Sequence, residues 1–194
     1  FELHSGEVHI LLGENGAGKS TLIKILSGAY GLDSGEIFIE NENIDLHSYT
    51  PKAGNERGII TIYQNFHLVP HLSVAENIAL SDFTTQHGMI TWKEVYKKAT
   101  AVLENIHFPI NLKLKVRELS VSEKQMLEIA IALSKNAKIL IMDEPTAAIS
   151  KQEVETLFTL IHQIKKKGIG IIYISHKLEE IQQIGDLVLA RREF

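Results

Sequence analysis

The stretch Gly13-Glu14-Asn15-Gly16-Ala17-Gly18-Lys19-Ser20 fills every fixed position of the pattern G-x-x-x-x-G-K-[ST], and few short patterns restrict a chain more. Before it, Val8, Ile10, Leu11 and Leu12 form a β-branched and apolar run that stops at Gly13. After it, Thr21 to Leu26 carry helix-forming apolar residues, so the order is strand, glycine-rich loop, helix. Glycines let the backbone curl until successive N–H groups face one anion, and the helix N-terminus adds its partial positive charge. In that geometry Lys19 reaches the β- and γ-phosphates of a nucleotide, and the Ser20 hydroxyl ligates Mg²⁺. The strand that feeds such a loop belongs to an α/β domain.

The rest of the chain is consistent with that class. Ile37 to Ile39, Ile59 to Tyr63, Ile139 to Met142 and Ile169 to Ile174 read as strands, the last two apolar on both faces as buried parallel strands are. Turns at Asp33-Ser34-Gly35 and Asn41-Glu42-Asn43 bound the first. Ser73 with Glu76, Thr91 with Glu94, Ser120 with Glu123 and Ser150 with Glu153 each have capping-box spacing and predict four helix starts. The last helix carries Val154, Leu157, Phe158, Ile161 and Ile164 on one face and ends at Lys165-Lys166-Lys167-Gly168, where the lysines suit the negative end of the dipole. The chain is expected to be a single domain over 1–194, with a helical subdomain at about 72–133 inserted into the α/β core.

Composition narrows the function. A net charge of −4 disfavours nucleic acid as a partner, and no cysteine is present to form a disulfide or a thiolate metal site. No apolar run approaches the roughly 18 to 20 residues that span a bilayer. The opening Phe1 to Glu7 has neither a basic nor an apolar leader region and does not begin with Met, so the sequence is expected to be a piece of a longer protein.

Two carboxylates, Asp143 and Glu144, end the apolar run from Ile139. Neighbouring strand side chains point to opposite faces, so one carboxylate can serve a Mg²⁺ shell while the other faces an attacking water as a base. Between the two motifs lies Leu119-Ser120-Val121-Ser122-Glu123-Lys124-Gln125 at a helix start. The order of glycine-rich loop, Gln64 after a strand, this signature, the acidic pair and His176 after a strand resembles the ATP-binding cassette (ABC) ATPases over essentially the whole chain. Gly13 to Gly28, Leu68 to Ile78, Met142 to Ala148 and Ile172 to Ile181 resemble bacterial monosaccharide importers, which typically carry two cassettes in one polypeptide; this chain looks like the first.

The resemblance implies a P-loop NTPase fold with an ABC-type core: a mainly parallel sheet, an antiparallel β piece and the inserted helical subdomain. It implies ATP and Mg²⁺ as cofactors. Gly13, Glu14, Asn15, Gly16, Ala17, Gly18, Lys19, Ser20 and Thr21 would hold the phosphates, and Ser20, Gln64 and Asp143 would serve the metal. Glu144 would be the general base, Gln64 would sense the lytic water, and His176 would contact the γ-phosphate. Ser120 and Ser122 would donate to a nucleotide held by a second cassette. The helical segment and the loop from Gln64 to His71 resemble the parts that receive an integral membrane permease, itself served by a solute-binding protein, on the cytoplasmic face of the cell membrane.

Three departures from the family pattern stand out. Val121 and Ser122 replace two glycines, and the Ser122 side chain is expected to crowd the phosphate. Ser150 stands where many cassettes have an aspartate, and the adenine-stacking aromatic of the family lies upstream of Phe1. Two other readings stay open on these residues: a soluble ABC protein acting on nucleic acid or the ribosome, and a degenerate regulatory nucleotide-binding module. The short spacing from Ser20 to Ser120, with no sustained heptads, argues against the coiled-coil insertion of DNA-repair types. His67 and His71 lie in a proline-containing loop with no third ligand, and Trp92 opens a helix; both read as surface or packing features.

Overall fold

The computed structural model describes residues 1–13, 16–45, 48–80 and 91–190. Their elements in chain order are β1 (Val8–Leu12), α1 (Lys19–Leu26), β2 (Phe38–Ile39), β3 (Glu42–Asn43), α2 (Pro51–Glu56), β4 (Ile59–Ile62), α3 (Val74–Leu80), α4 (Trp92–Glu104), a 3₁₀ turn at Val116–Glu118, α5 (Val121–Ser134), β5 (Ile139–Asp143), α6 (Lys151–Lys166), β6 (Gly170–Ile174), α7 (Leu178–Ile184) and β7 (Leu187–Ala190). The chain divides into two compact units. One comprises 1–61, 137–144 and 164–194, and the other 62–136 and 145–163.

The first unit is built on a five-stranded sheet of order β4-β5-β6-β1-β7, in which β1, β5, β6 and β7 pair parallel. Val8, Ile10, Leu11, Leu140, Ile141, Met142 and Ile171 to Ile174 are all buried, as strands covered on both faces require. A separate antiparallel pair joins β2 to β3, so Glu42 and Asn43 extend a ladder where the sequence suggested only a turn. Two residues suffice because the pairing uses backbone groups, whatever the side chains.

The second unit is helical. Each of the four capping boxes forms: Glu76 accepts the Ser73 N–H at 2.7 Å, Glu94 that of Thr91 at 3.2 Å, Glu123 that of Ser120 at 2.7 Å and Glu153 that of Ser150 at 2.7 Å. Each serine or threonine side chain in turn accepts from the N–H three residues on. Leu157, Phe158, Ile161 and Ile164 form the buried stripe of α6, and Lys165 and Lys166 close its last turn. Within the first unit, to which the end of α6 belongs, Lys165 pairs with Asp186, which accepts the Val8 N–H at 2.8 Å.

One glycine controls where α1 ends. Gly28 has φ +75°, and a Cβ there would stand 2.5 Å from the carbonyl carbon of Thr50, backbone that cannot give way. The Tyr49 hydroxyl donates to the Leu26 carbonyl at 2.7 Å and braces the same junction. Gly28→Ala should therefore lower the unfolding free energy by at least about 2 kcal/mol, from left-handed strain plus overpacking. Urea denaturation of the two proteins measures this, and a loss below about 0.5 kcal/mol would show that the junction shifts freely.

Candidate functional site

Parallel register brings the chemistry of the first unit to one edge of its sheet. Asp143, Ile174 and Leu11 share a row, since Asp143 pairs with Ile174 and Ile174 with Leu11. One residue past that row on β5 is Glu144; two past it on the other strands are His176 and Gly13, where the glycine-rich loop begins. Ligands of open α/β sheets gather at such carboxyl ends.

The loop's own geometry follows from its glycines. Gly16 has φ +94°, and Gly18, the residue before α1, has φ +85°. Both lie in the left-handed region, where a side chain costs about 1 kcal/mol or more. Glu14 and Asn15 lie outside the described residues. Helix α1 has no side-chain cap and no acidic residue in its first turn, so its leading N–H groups have no acceptor from a capping side chain. The Lys19 ammonium donates to the Gly13 carbonyl at 2.5 Å, which folds the side chain back over the loop. Ser20 and Thr21 follow on the first turn, both exposed, while Ala17 is buried.

Asp143 and Glu144 are not simply alternate strand residues. Asp143 ends β5, whereas Glu144 has φ +47° and donates its N–H to the Ile174 carbonyl at 3.1 Å. That left-handed turn redirects the Glu144 side chain toward His176, whose Nδ1 lies 3.2 Å from Oε1. A carboxylate only accepts, so for the two to hydrogen-bond in that form Nδ1 is the donor. Burial first, and then the adjacent Glu144, raise the pKa of Asp143, while Lys19 pulls it back down. Lys19 and Asp143 are thus electrostatic neighbours, and a cation that neutralised the two carboxylates would relieve their repulsion.

The sequence pattern did not single out what holds His176 in place. Glu180 on α7 is 4% exposed; its Oε2 accepts the Ser175 hydroxyl at 2.7 Å and the Tyr173 hydroxyl at 3.0 Å. Lys177 pairs with Oε1 at 3.4 Å. Both neighbours of His176 are therefore tied to one buried carboxylate.

Gln64, Ser120 and Ser122 belong to the second unit. Gln64 is exposed, in a bend just past β4, and Ser120 is the exposed N-cap of α5. Ser122, half-buried, turns its hydroxyl to Glu153, whose carboxyl is held below the usual range first by the Ser150 N–H, then by the Ser150 hydroxyl and also by Ser122. The two serines that depart from the family pattern thus share one carboxylate. His67 and His71 are exposed, and no cluster of three or more His, Asp or Glu that would hold a metal occurs among the described residues. Trp92 is 61% exposed and lies 6.2 Å from Tyr96, ring to ring. No helix among the described residues is long and apolar enough to cross a membrane.

Glu128 on α5 is a second acid that sequence patterning passed over. It is buried, and its Oε1 accepts the backbone N–H of His67. Burial raises its pKa to about 7, against which the His67 hydrogen bond works. A raised carboxyl pKa imposes no cost below the unfolded value of 4.5, and the cost grows as the pH rises through 4.5 to about 7. Glutamine does not titrate. The unfolding free energy of Glu128→Gln relative to the parent should move in the variant's favour by about 2 to 4 kcal/mol between about pH 4.5 and pH 8. Urea denaturation across that range checks it; a constant difference would mean that the carboxyl titrates as if exposed.

Comparison with known proteins agrees with this geometry. The family model described as ABC transporter matches residues 1–147. A ribose import ATP-binding protein of Streptomyces avermitilis is 48% identical over 193 residues, and a xylose import ATP-binding protein of Moorella thermoacetica is 46% identical over 195. The whole chain is covered in both, but it spans only 37% and 38% of those relatives' lengths. A crystal structure of a nucleotide-free ATP-binding cassette from an ABC transporter superposes with a TM-score of 0.85 at 26% identity, over 98% of this chain and 78% of that one.

Proposed function

Because the chain belongs to the ABC transporter family, we propose that it is the first of two ATP-binding cassettes of a sugar importer, and that it binds and hydrolyses ATP as one of a pair. The observation that carries this reading is the clustering of Lys19, Asp143, Glu144 and His176 at the carboxyl edge of one parallel sheet, with Glu144 hydrogen-bonded to His176. The sugar enters through the names of the relatives and a second cassette through their greater length; an integral membrane permease and a solute-binding protein complete the proposed importer.

The residues present fit both a nucleotide's phosphates and Mg²⁺. A glycine-rich turn followed by a helix start with no capping side chain offers N–H donors to an anion. The Ser20 hydroxyl and the Asp143 carboxylate supply the hard oxygen donors that Mg²⁺ takes, and the raised pKa of Asp143 marks a carboxylate that gains from a neighbouring cation. When bound, Mg²⁺ neutralises charge on the phosphates.

Within that site the chain's own residues divide the work. Backbone N–H groups of 16–21 and the Lys19 ammonium bind and orient the phosphates. Glu144 accepts the proton of the attacking water. His176, with its proton on Nδ1 and directed at Glu144, holds that carboxylate in position and leaves Nε2 toward the phosphate side, while Glu180 orients the ring's backbone neighbours. Gln64 has the role of sensing the metal and the lytic water, and Ser120 and Ser122 that of donating to the nucleotide of the partner cassette. The helical segment at about 72–133 is where the permease docks, on the cytoplasmic face of the membrane.

The division between the two acids is testable. In the complete protein assembled with its permease, Glu144→Gln should lower ATP turnover by about 10² to 10⁴-fold, the usual contribution of a general base, while nucleotide affinity changes by less than about 1 kcal/mol. Asp143→Asn should also weaken Mg²⁺-dependent binding. Nucleotide affinity measured with and without Mg²⁺, alongside steady-state turnover, separates them; the reverse pattern would exchange the roles.

A further inference from the structure

The loop that leaves β4 is gripped by side chains and backbone of its own unit. Glu128 Oε1 accepts the His67 N–H at 2.5 Å from a side chain that is 8% exposed. Asn77 of α3, also buried, accepts the Val69 N–H at 2.7 Å through Oδ1 and returns Nδ2 to the Val69 carbonyl at 3.1 Å and the Ser73 carbonyl at 3.0 Å. The Arg117 and Val116 N–H groups donate to the carbonyls of Pro70 and Leu72, each at 3.0 Å. The loop backbone is therefore held at several points, and the first is the His67 amide, three residues past Gln64. Gln64 itself lies inside a turn closed by Tyr63 against His67, rings edge-on with centroids 5.0 Å apart.

A carboxyl is a costly way to hold that amide. Glu128 is flanked on α5 by buried Met126, Leu127, Ile129 and Ala130, and its Oε2 has no hydrogen-bond partner among the described residues. Among the same described residues the Gln125 Nε2, one turn earlier, has none either. A side chain serving packing alone would be apolar here, since burying a carboxyl with one oxygen unsatisfied costs stability. What a carboxyl oxygen supplies and a methyl group does not is direction. A short hydrogen bond fixes the amide to α5, so a shift of the helix carries the loop with it. Helix α5 is also the rod that begins at Ser120, about 12 Å along its axis from Glu128 at 1.5 Å per residue.

We propose that Glu128 is a positioning residue for ATP hydrolysis: by tying the His67 amide to α5, it makes the placement of Gln64 follow the position of the helix that Ser120 caps. The inference rests on the roles of Gln64 and Ser120 proposed above. It adds the bond through which engagement of the signature helix by the partner cassette reaches the residue at the lytic water.

The test uses the complete protein assembled with its permease, with ATPase kcat and KM measured for Gln64→Ala, Glu128→Met, Glu128→Gln and the Gln64→Ala/Glu128→Met double variant. Methionine keeps the volume and removes the acceptor; glutamine keeps an acceptor oxygen for the His67 amide. Glu128→Met should lower kcat about tenfold with KM for ATP within about twofold, and Glu128→Gln should restore kcat to within about threefold of the parent. In the Gln64→Ala background the Glu128→Met loss should vanish, because residues that act as one unit are not additive. His67→Pro removes the same bond from its donor side with α5 untouched and should match Glu128→Met. Additive losses, or a Glu128→Gln protein as impaired as Glu128→Met, would overturn the inference alone. Full turnover in Gln64→Ala would overturn the role of Gln64 and this inference with it.

Discussion

The parallel register of β5, β6 and β1 is the constraint on which the site depends. Asp143, Ile174 and Leu11 are locked in one row by backbone hydrogen bonds, so the residues just beyond them have no choice of neighbours. Slipping one strand by a single residue would turn Asp143 to the opposite face and separate Glu144 from His176. Burial holds these strands inside the sheet: Leu140, Ile141, Met142 and Ile171 to Ile174 are covered on both of its faces. The groups proposed as catalytic are thereby placed by residues with no proposed part in the chemistry.

Around this frame, polar groups fix what the sheet leaves free. Glu180 gathers the hydroxyls of Tyr173 and Ser175 just before His176, and Glu153 gathers Ser150 and Ser122. Each is one carboxylate that accepts from more than one group. The second unit uses the same device at Glu128 and Asn77, where a buried carboxyl and a buried amide hold a loop by its backbone. Backbone contacts of this kind specify a path for the chain without restricting its side chains.

Much of this was legible in the sequence because the signals were local. The glycine-rich loop, the strands from Val8, Ile139 and Ile169 and the four capping boxes each declare themselves within a few residues, and all appear in the structure. The helix α2 did not: six residues, Pro51-Lys-Ala-Gly-Asn-Glu56, with glycine and asparagine inside and no apolar period, are held by the Thr50 cap and Pro51 at the start. The strand β3 hid in residues that read as a turn, because a two-residue ladder needs no side-chain pattern. Glu128 and Glu180 were silent for another reason. An acid on a helix ordinarily reads as solvated, and only the fold shows which ones are covered and what they reach.

The backbone of Glu144 carries a consequence for how this fold can be altered. A residue with a β-carbon held at φ +47°, and followed directly by Pro145, occupies a conformation that favours glycine. The strain is stored at the one position whose carboxylate meets His176, and the surrounding sheet is rigid enough to sustain it. Laboratory evolution that rewarded heat resistance alone would therefore drift toward glycine at 144, and the hardiest descendants would have lost the carboxylate proposed as the base. Thermal robustness and turnover pull in opposite directions at this single peptide.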